Sequence, residues 1–506
     1  MKFFVTTPIY YVNDVPHIGH AYTTVAADVL ARWHRLQQDE VFFLTGTDEH
    51  GTKIAQAAAA HNKDPQQYCD ELSAQFQECW KSLKISNDAF VRTTSPEHQR
   101  AVQAFLKLLW DKGVIFKARY QGKYCVQCER FYTDDELIGG LCPDHRIPPE
   151  VQSEDNYFFR LSQFREELLA AITDENHPNH YKIFPRERRN EVIGKLKQEV
   201  NDLSMSRATL AWGIPLPWDR SQTTYVWVDA LVNYLTAIGY PDDVHRVETW
   251  WPADLHLMAK DILWFHAVIW PALLIAAGMK VPKKIFAHGF FTVNGQKMSK
   301  SMGNVVRPAE LIKEYGIDGT RYLLLAAFPF GADGDFTADL MKTSYNAALA
   351  NDLGNLMSRA FTMVEKYCGG KVPAGSRRDL VNAVLGDLKP VETHLEHLQF
   401  HQALTTILGA VDRVNRFIED KAPWKLVKTD IPETEAVLRE VLLSLKVLVF
   451  YLWPFFPDTA QILWSQLGQT DDLVARAKDF FLRPDTVDLP AGQAIQKGAP
   501  LFPRKP

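Results

Sequence analysis

The first 44 residues alternate between strand and helix patterns, and this order restricts the fold more than any other feature of the sequence. Residues 2–7 form a short β-rich run, residues 21–36 carry apolar side chains near helical spacing, and residues 41–44 are a continuous apolar run. A strand, a helix and a second strand in this order form a βαβ unit, in which ligands bind at the carboxyl ends of parallel strands. We therefore predict an α/β fold with a doubly wound, parallel, Rossmann-like sheet.

The chain is long enough for several domains. Its 506 residues exceed the size at which a single core stops growing, so we expect about three domains. Long helical patterns after residue 343 predict a C-terminal α-helical bundle. The predicted parts are 1–119, the first half of the Rossmann domain; 120–222, an inserted connective domain; 223–296, the second Rossmann half; 297–342, a loop and linking domain; 343–470, the helical domain; and 471–506, a tail. Residues 489–506 are rich in proline and glycine and are expected to lie extended on the surface.

Composition excludes several classes of protein. With 46% hydrophobic and 23% charged residues the chain should form packed cores. The N-terminus lacks the pattern of a signal peptide, and the most apolar window, residues 262–277, is interrupted by His266 and Pro271 and is too short to span a membrane. Six cysteines do not form a disulfide framework, which favours a cytoplasmic setting. The net charge of −5 argues against wholesale coating of nucleic acid, although a local basic patch can still contact it.

Two histidines three residues apart open the first predicted helix. His17 and His20 can project together beside a helix N-terminus, where backbone N–H groups attract phosphate, and Gly19 lets a nucleotide approach the backbone closely. Imidazole N–H groups there can donate hydrogen bonds to phosphate oxygens. Taken alone, such a pair is equally typical of a surface or of half a metal site.

A second polar loop follows the predicted strand at residues 284–289. Residues 295–304 are flanked by glycine and contain Lys297 and Lys300, which can bind a triphosphate as mobile point charges. Alone, a loop of this kind is typical of a solvated turn. The loop and the histidine pair together, each beside a strand of the same predicted sheet, indicate an ATP site.

Four possible metal ligands occur in two close pairs. Cys125 and Cys128 are separated by two residues, thirteen residues follow, and Cys142 and His145 form a second pair with the same spacing. This pattern predicts a tetrahedral structural zinc site without an open coordination position. The alternative is a set of unrelated reduced thiols.

With these segments the chain resembles the class I aminoacyl-tRNA synthetases, and within them the methionyl-tRNA synthetase family. The resemblance covers nearly the whole chain. It is carried by His-Ile-Gly-His at 17–20 and Lys-Met-Ser-Lys-Ser at 297–301, and by residues 7–13, 45–51, 212–218, 225–230 and 260–262. One departure is Ala259, which precedes Lys260 where we expect glycine, and a second is Leu231 where some members have proline.

The resemblance implies a ligase that activates L-methionine with ATP and Mg²⁺, releases pyrophosphate, and transfers methionine from the adenylate to the 3′-terminal ribose of tRNA(Met). It implies catalysis by positioning and charge stabilisation, without a protein nucleophile. The catalytic residues that it implies are His17, His20, Lys297 and Lys300. The ATP-binding residues that it implies are Gly19, Lys260, Asp261, Lys297, Met298, Ser299, Lys300 and Ser301.

A methionine side chain has no strong hydrogen-bonding group, so a selective pocket must recognise its length, shape and polarisable sulfur. Trp227, Ala230 and Tyr234 are spaced by three and four and share one face of a helix, a pattern that is also typical of ordinary core. The resemblance assigns eight residues to methionine binding: Ile9, Tyr11, Asp48, Trp227, Ala230, Tyr234, Ile262 and His266. Asp48 is the implied partner of the α-ammonium group, since a charge in an apolar crevice needs an opposite one. A helix N-cap is the alternative role of Asp48.

The helical part contains candidate RNA contacts. Asn355 and Arg359 lie four apart on a predicted helix, and Trp424 follows Ala422-Pro423, where another helix begins. Single-stranded RNA is read by stacking and by hydrogen bonds to base edges, and the resemblance assigns these three residues to the anticodon. Arg377, Arg378 and residues 186–197 are further candidate phosphate contacts, or solvated faces.

Three rival interpretations remain: a ligase for another amino acid, a catalytically silent tRNA-binding paralogue, and a zinc-dependent nucleic-acid module. The Trp227, Ala230 and Tyr234 pattern argues against the first, and the intact histidine and lysine motifs argue against the other two. We expect one structural Zn²⁺, no membrane partner and, because no further domain follows the helical bundle, a monomer.

Overall fold

The structure of the chain, a computed structural model, describes residues 1–125, 130–132, 134, 137–143, 146–208, 210, 212–293, 295–298 and 304–506. Residues 120, 121, 130, 131, 152–154 and 297 are described by their backbone. The strands are β1 (Lys2–Thr6), β2 (Tyr10–Tyr11), β3 (Glu40–Asp48), β4 (Ala89–Arg92), β5 (Ile115–Cys125), β6 (Arg130–Tyr132), β7 (Glu150–Phe159), β8 (Lys182–Phe184), β9 (Leu203–Ser204), β10 (Ser206–Arg207), β11 (Thr223–Thr224), β12 (Leu255–Ala259), β13 (Lys284–His288), β14 (Phe291–Val293), β15 (Gln296–Lys297) and β16 (Gly334–Asp335).

The α-helices are α1 (Ile18–Leu36), α2 (Thr52–Ala60), α3 (Pro65–Ser82), α4 (Pro96–Asp111), α5 (Arg165–Thr173), α6 (Arg186–Leu196), α7 (Val226–Leu231), α8 (Asn233–Thr236), α9 (Val244–Trp250), α10 (Trp270–Ala277), α11 (Pro308–Ala326), α12 (Ala338–Tyr345), α13 (Asn355–Cys368), α14 (Asp379–Leu388), α15 (Pro390–Glu396), α16 (Phe400–Lys421), α17 (Pro423–Leu426), α18 (Ile431–Leu452), α19 (Pro457–Gln466) and α20 (Leu473–Leu482). Two π-helical stretches, Phe265–Ile269 and Asn346–Gly354, lead into α10 and α13. In the part of the chain that the structure describes, no helix is both long and apolar enough to cross a membrane.

The central sheet is parallel throughout. Strand β3 pairs with β1, and the order continues from β1 to β12, β13 and β8. Further along β3, Thr47 pairs with Tyr10 of β2 and with Arg92 of β4, so β2 and β4 lie on opposite edges of that strand. Because every pair is parallel, the carboxyl ends of the strands meet at one edge of the sheet. The predicted α/β class and parallel central sheet are confirmed.

Consecutive strand residues enter two different cores, one on each face of the sheet. Val5 and Phe43 pack under α1, whereas their neighbours Phe4 and Phe42 are buried on the opposite face with side chains of α4 and α10. Both faces are therefore covered by helices. This explains why residues 41–44 are uniformly apolar instead of alternating with polar residues.

The chain between the two parts of the central sheet forms a separate antiparallel sheet, with the order β6-β5-β7-β9. Strand β8 does not belong to it. This strand lies beside β13 in the central sheet, because Tyr181 and Ile183 are buried in the same core as Ile285. Within the predicted insertion, residues 120–222, the chain therefore returns to the central sheet at β8.

The C-terminal part is helical, as the sequence predicted. Buried side chains at helical spacing, such as Ile407 and Val411 of α16 and Val441 and Leu445 of α18, form its core. This core is continuous with the one under α1. The helical part therefore packs directly against the side of the sheet that α1 covers.

The tail is anchored more firmly than its composition suggested. Helix α20 stacks Phe480 on Phe450, with ring centroids 4.4 Å apart. Residues 489–506 form no helix, as expected, but Leu489 and Phe502 are buried. Apolar side chains at wide spacing, rather than regular structure, hold this segment against the helical part.

A buried ion cluster joins α1 to α11 and to the end of α18. Asp28 of α1 accepts a hydrogen bond from Arg32 and pairs with Arg321 of α11, each at 2.7 Å. Ser86 donates its backbone N–H and its hydroxyl to the other Asp28 oxygen, at 2.7 and 2.6 Å. Arg321 also donates to three backbone carbonyls, those of Leu83, Pro454 and Phe455.

The cluster is held by mutual pairing of charges, because Asp28 and Arg321 are both inaccessible to solvent. Burial alone would raise the pKa of the Asp28 carboxyl, but Arg32 and Arg321 together lower that pKa to about 2. A buried charge whose partner is removed is strongly destabilising.

We predict that Asp28→Asn lowers the free energy of unfolding by about 3–5 kcal/mol, because it leaves the Arg321 guanidinium buried beside a neutral group. Denaturant unfolding followed by circular dichroism measures this. Asp387→Asn is the matched control, since Asp387 pairs with Arg413 at the surface, where such a pair contributes about 1 kcal/mol or less. Equal effects of the two substitutions would contradict the proposed dependence on the buried cluster.

Candidate active site at the carboxyl edge of the sheet

The residues predicted to bind substrates lie where the parallel strands end. Strand β1 leads into Ile9, β3 ends at Asp48, β12 leads into Lys260, and β13 leads into Gly289. Helix α1 begins at the same edge, directly after His17. The topology alone therefore brings segments that are distant in sequence to one crevice.

His17 and His20 form a closely packed pair at the start of α1. His17 is the N-cap: its Nδ1 accepts from the Gly19 N–H at 3.1 Å, and its own N–H donates to His20 Nδ1 at 3.3 Å. The two rings stack with centroids 3.8 Å apart. A Cβ atom at Gly19 would lie 2.9 Å from His17 Cε1, so a larger residue would displace the stacked ring. Burial holds the pKa of His20 well below its usual value, and the electrostatic interaction with the neighbouring His17 ring lowers it further.

The second predicted ATP motif lies near this helix start. Ile18 donates its backbone N–H to the Val306 carbonyl at 3.1 Å, which places the segment after residues 299–303 against α1. Lys297 lies in β15, paired with Thr292, and Met298 packs against the core under α1. Ser299, Lys300 and Ser301 lie outside the described residues, and the side chain of Lys297 is not described.

Lys260 is engaged by a carboxylate that the sequence did not indicate. Its Nζ lies 2.8 and 2.6 Å from the two oxygens of Asp333, and the Phe290 N–H donates to the same carboxylate at 2.7 Å. Burial would raise the pKa of Asp333, but Lys260 and the Phe290 N–H lower it. Asp261 follows in a 3₁₀ turn, and Ala259, half-buried, ends β12. The lysine therefore lies at the expected edge while already bound to an anionic group.

Three of the predicted methionine-binding residues contact one another, and a fourth, Trp227, stacks on the neighbour of His266 in the chain. Tyr234 lies with its hydroxyl 2.7 Å from His266 Nε2, and His266 Nδ1 lies 3.0 Å from the Ile262 carbonyl. Since a carbonyl can only accept, Nδ1 carries the proton and Nε2 accepts from the Tyr234 hydroxyl. Burial lowers the pKa of His266 to about 4, so the ring is neutral at physiological pH. Trp227 stacks on Phe265 with centroids 4.0 Å apart and an interplanar angle of 10°.

The predicted stripe of Trp227, Ala230 and Tyr234 does not lie on one continuous helix. Trp227 and Ala230 belong to α7, and Tyr234 belongs to α8. The break follows from a local competition, because the side chain of Asn233 donates to the Ala230 carbonyl at 2.6 Å, the oxygen that a continuing helix would use for its own backbone. The prediction of an unbroken helix through these three residues is therefore wrong.

Asp48 ends β3 in a buried position, and its carbonyl accepts from the Val12 N–H at 3.2 Å. The next helix, α2, begins at Thr52 with Gly51 as its N-cap. The alternative role of Asp48 as a helix N-cap is therefore wrong.

The residues that follow Asp48 are held from several sides. Glu49 accepts a bidentate pair of hydrogen bonds from Arg92, at 2.7 and 2.9 Å, and its carbonyl accepts from Trp212 Nε1 at 2.6 Å. The hydroxyl of Tyr11 donates to the His50 carbonyl at 2.9 Å. These hydrogen bonds hold the segment from several sides, which is the condition for precise placement of a charged group.

Ile9 lies against the same strand. A Cβ atom at Gly46 of β3 would lie 2.1 Å from the Val91 carbonyl oxygen and 2.9 Å from Ile9 Cγ2. Glycine is therefore required where β3, β4 and the Ile9 segment meet. The motif at residues 45–51 therefore contains a glycine that close packing requires, two residues before Asp48.

Two of the four predicted zinc ligands are described. Cys125 and Cys142 are buried in one small cluster with Tyr132. Cys128 and His145 lie outside the described residues. Among the residues that are described, no group of three or more possible ligands could hold a metal ion.

The three predicted anticodon residues converge in the helical part. Asn355 and Arg359 line a cavity of about 300 Å³ between α13 and α16. Arg359 lies 5.6 Å from the ring centroid of Trp424 and pairs with Glu419 at 2.7 Å. Arg377, a further candidate phosphate contact, is instead paired with Glu433 and Glu440. The cavity is lined by Asn355 and Arg359 together with acidic side chains such as Asp412 and Glu419, and the Trp424 ring lies beside Arg359.

Some residues of the crevice have no signal in the sequence. Asp333 and His98 belong to no motif, because each acts on residues distant in the chain, whereas Trp212 opens the segment 212–218 that carries part of the family resemblance. Asp229 does have a signal: it is a single carboxylate in the apolar run from Val226 to Val232. An isolated acidic residue in such a run must be paired or lie in a site.

Comparisons with known proteins agree with this geometry. The chain matches the model for tRNA synthetases class I (M) over residues 3–148 and 145–361, and the model for the anticodon binding domain of methionyl tRNA ligase over residues 369–504. The methionine–tRNA ligase of Streptomyces coelicolor is 44% identical, covering 99% of this chain and 96% of that protein. The chain belongs to the methionyl-tRNA synthetase family.

Solved structures of the family extend the similarity to three dimensions. The Mycobacterium tuberculosis methionyl-tRNA synthetase in complex with methionyl-adenylate has a TM-score of 0.92 and 39% identity, covering 99% of this chain and 100% of that chain. The apo form of the Mycobacterium tuberculosis protein has a TM-score of 0.85 and 36% identity, covering 100% of this chain and 98% of that chain. The methionine–tRNA ligase of Thermosynechococcus vestitus, 42% identical over 99% of this chain and 97% of its own length, is a further relative.

We predict that the free energy of unfolding falls as the pH is lowered from about 7 to about 4. Burial lowers the pKa of His266 and of His288 to about 4, and that of His256 well below its usual value. In the unfolded chain each ring binds a proton near pH 6.5, so unfolding takes up protons throughout this window and becomes more favourable. Each such ring lowers the free energy of unfolding by up to about 1.4 kcal/mol for each pH unit in this window.

The variant His266→Gln tests this by denaturant unfolding at pH 7 and pH 5. It should reduce the number of protons taken up on unfolding by about one, because one of the buried rings is gone. Tyr234→Phe is the control, because it removes the hydroxyl that donates to His266 but keeps the titrating ring. It should lower the free energy of unfolding while retaining most of its dependence on pH. An unchanged slope in His266→Gln would show that this ring does not contribute.

Proposed function

We propose that this chain is a methionine–tRNA ligase that activates L-methionine with ATP and transfers it to the 3′-terminal ribose of tRNA(Met). The observation that carries the proposal is the meeting of the histidine pair at the start of α1, the buried Asp48 and an apolar, aromatic pocket at one edge of the sheet. Membership of the methionyl-tRNA synthetase family over the full chain supports it.

In the first step a carboxylate oxygen of methionine attacks the α-phosphorus of ATP, and the bond from that phosphorus to the bridging oxygen breaks to release pyrophosphate. No protein nucleophile is needed, so the chain contributes positioning and charge stabilisation. The Nδ1 atoms of His17 and His20 both accept backbone N–H groups, which assigns the ring proton to Nε2 in each, and we assign to these N–H groups the role of donors to phosphate oxygens. Mg²⁺ bound to ATP would neutralise further phosphate charge.

We assign the triphosphate to Lys297 and Lys300, with Gly19, Met298, Ser299 and Ser301 beside it and Lys260 and Asp261 on the nucleotide side. The backbone hydrogen bond from Ile18 to Val306 supports this assignment, because it brings the described end of the lysine loop to the histidine pair.

In the second step a ribose hydroxyl of the tRNA attacks the carbonyl carbon of the adenylate, and AMP leaves.

We assign the methionine side chain to the space beside Ile9, Tyr11, Trp227, Ala230, Tyr234, Ile262 and His266. Aromatic rings suit a polarisable thioether, and the neutral His266 with the Tyr234 hydroxyl adds a weakly polar end. Asp48 would pair with the α-ammonium group, whose burial requires an opposite charge.

We further propose one structural Zn²⁺ held by Cys125, Cys128, Cys142 and His145. The burial of Cys125 and Cys142 beside each other in one cluster supports it, and four protein ligands leave no position for chemistry. Metal analysis should find one zinc per chain that Cys142→Ser loses. Zinc-free protein with an unchanged unfolding curve would contradict a stabilising role.

We also propose that the helical part reads the anticodon with Asn355, Arg359 and Trp424. Trp424 and Arg359 offer stacking surfaces, and Asn355 offers hydrogen bonds to a base edge.

We further propose that the chain acts as a cytoplasmic monomer. A mass of twice 57.7 kDa by gel filtration would contradict this.

The decisive experiment is amino-acid-dependent exchange of labelled pyrophosphate into ATP, without tRNA. We predict exchange with methionine but not with cysteine, leucine or isoleucine, because the pocket fits an unbranched thioether. Lys297→Ala should depress this exchange while methionine binding, measured by calorimetry, persists. Exchange with another amino acid would overturn the pocket assignment, and none at all would favour a catalytically silent tRNA-binding paralogue.

We predict that Trp424→Ala separates the two halves of the reaction. Loss of one stacked base costs about 1–3 kcal/mol, so kcat/KM for tRNA charging should fall about 5- to 150-fold. Exchange of pyrophosphate by the same preparation should stay unchanged, because Trp424 lies in the helical part. A parallel loss of both activities would indicate a folding defect and contradict the assignment.

A further inference from the structure

A fully buried carboxylate joins the two sides of the proposed methionine pocket. Asp229 lies on α7 between Trp227 and Ala230, with no exposed side-chain surface. Its Oδ2 lies 2.7 Å from His50 Nδ1, and its Oδ1 lies 2.8 Å from His98 Nε2, whose ring is also fully buried. Burial would raise the pKa of Asp229, but the two histidines lower it, so the group is ionised.

Each of these bonds leads to a different element. His50 is the second residue after Asp48, and its carbonyl is held by Tyr11. His98 lies on α4, and its Nδ1 lies 2.9 Å from the hydroxyl of Thr236 on α8. Through Asp229, helix α7 is therefore bonded to the segment that carries Asp48 and to the helix that supports α8.

The bonds are strong because of their surroundings. An ionised acceptor strengthens a hydrogen bond, and a buried donor that loses its acceptor retains the full cost of desolvation. Asparagine at this position would offer one oxygen and one N–H group to two ring nitrogens, so the bonding of at least one ring must change. The distance between α7 and the end of β3 is thus fixed more tightly than apolar packing alone would fix it.

We propose that Asp229 is a positioning residue that sets the distance between Asp48 and the wall formed by Trp227 and Ala230, and thereby the length of the amino-acid side chain that fits. This inference rests on the proposed function. Discrimination of one methylene in an apolar pocket is about 10- to 200-fold at best, and it requires walls that do not move. Asp229 makes no hydrogen bond to Lys260 or to the histidine pair, so ATP binding should not depend on it.

The test is Asp229→Asn in pyrophosphate exchange with methionine, with ethionine, which is longer by one methylene, and with norvaline, which is shorter. The KM for methionine should rise about tenfold, as for loss of a hydrogen bond to a charged group. The preference for methionine over the two analogues should fall about fivefold or more, a part of the selectivity that one methylene provides. The KM for ATP should stay within about twofold of wild type, since the nucleotide contacts lie elsewhere.

Asp254→Asn is the matched control. Asp254 accepts from the Phe4 N–H and pairs with Lys283 at the other end of the sheet, so its loss should leave the preference among the three amino acids unchanged. His98→Phe is a second variant that removes the bond from α4, because its ring carries no donor, but keeps His50 and Asp229. It should shift the preference in the same direction by a smaller factor, and it decides the question if Asp229→Asn does not fold.

The outcomes separate the two proposals. A wild-type chain without methionine-dependent exchange overturns the proposed function and this inference with it. An active wild type, with an unchanged amino-acid preference in Asp229→Asn, overturns the inference alone. A rise in KM for ATP and methionine alike, at unchanged preference, also overturns it, because that pattern describes a general loss of structure.

Discussion

Helix α1 is held by buried contacts to parts of the chain that are distant in sequence, and the geometry of the crevice depends on them. At its start, Ile18 is bonded to the Val306 carbonyl. In its middle, Asp28 is bonded to Arg321, which in turn reaches the carbonyls at the end of α18. Because His17 and His20 cap this helix, their position relative to the strand ends is set by these contacts. A buried ion pair is a poor source of net stability but a demanding constraint on geometry, since any other arrangement leaves a charge unpaired.

The buried polar groups around the crevice are of two kinds, neutral rings and paired carboxylates. His256, His266 and His288 are kept neutral by burial, and His266 has both ring nitrogens hydrogen-bonded. Asp229 and Glu49 are instead surrounded by donors, from His50 and His98 in one case and from Arg92 in the other. Neutral rings suit the pocket wall, where a permanent charge would oppose an apolar side chain. Paired carboxylates suit the supporting positions, where strong directional bonds fix the backbone.

Much of the fold was predictable, because its signals are local. A strand, a helix and a strand at residues 2–44 were enough to indicate a parallel sheet, and the sheet's carboxyl edge then gave the place of the site. Helical spacing gave the C-terminal part. The position of β8 was not predictable, since three residues within a long insertion give no periodic signal that they join a distant strand. The break between α7 and α8 was also missed, because it depends on one side chain, Asn233, that takes a backbone acceptor.

The residues of the candidate site also differ in how far the sequence indicates them. Candidate residues in short motifs, such as His17, His20 and Asp48, could be proposed from the sequence, because the residues of each motif are neighbours in the chain. The partner of Lys260 could not, because Asp333 lies far away in the chain and only the folded sheet brings the two together. Asp229 was visible as a carboxylate in an apolar run, but its two histidine partners come from the segment after β3 and from α4 and required the structure.

A pocket for an unbranched thioether has a particular physical difficulty. The ligand offers no strong donor or acceptor, so the large penalties that arise when a polar ligand is replaced by an apolar one are not available for selection. Selection must come from shape, and shape discriminates only as far as the walls resist movement. In the proposed pocket, Trp227 and Ala230 form an apolar wall with the hydrogen bonds of Asp229 behind it, whereas the Tyr234 hydroxyl and the neutral His266 ring form a weakly polar end. The proposed role of the buried carboxylate in recognition is therefore indirect: it holds an apolar surface in place.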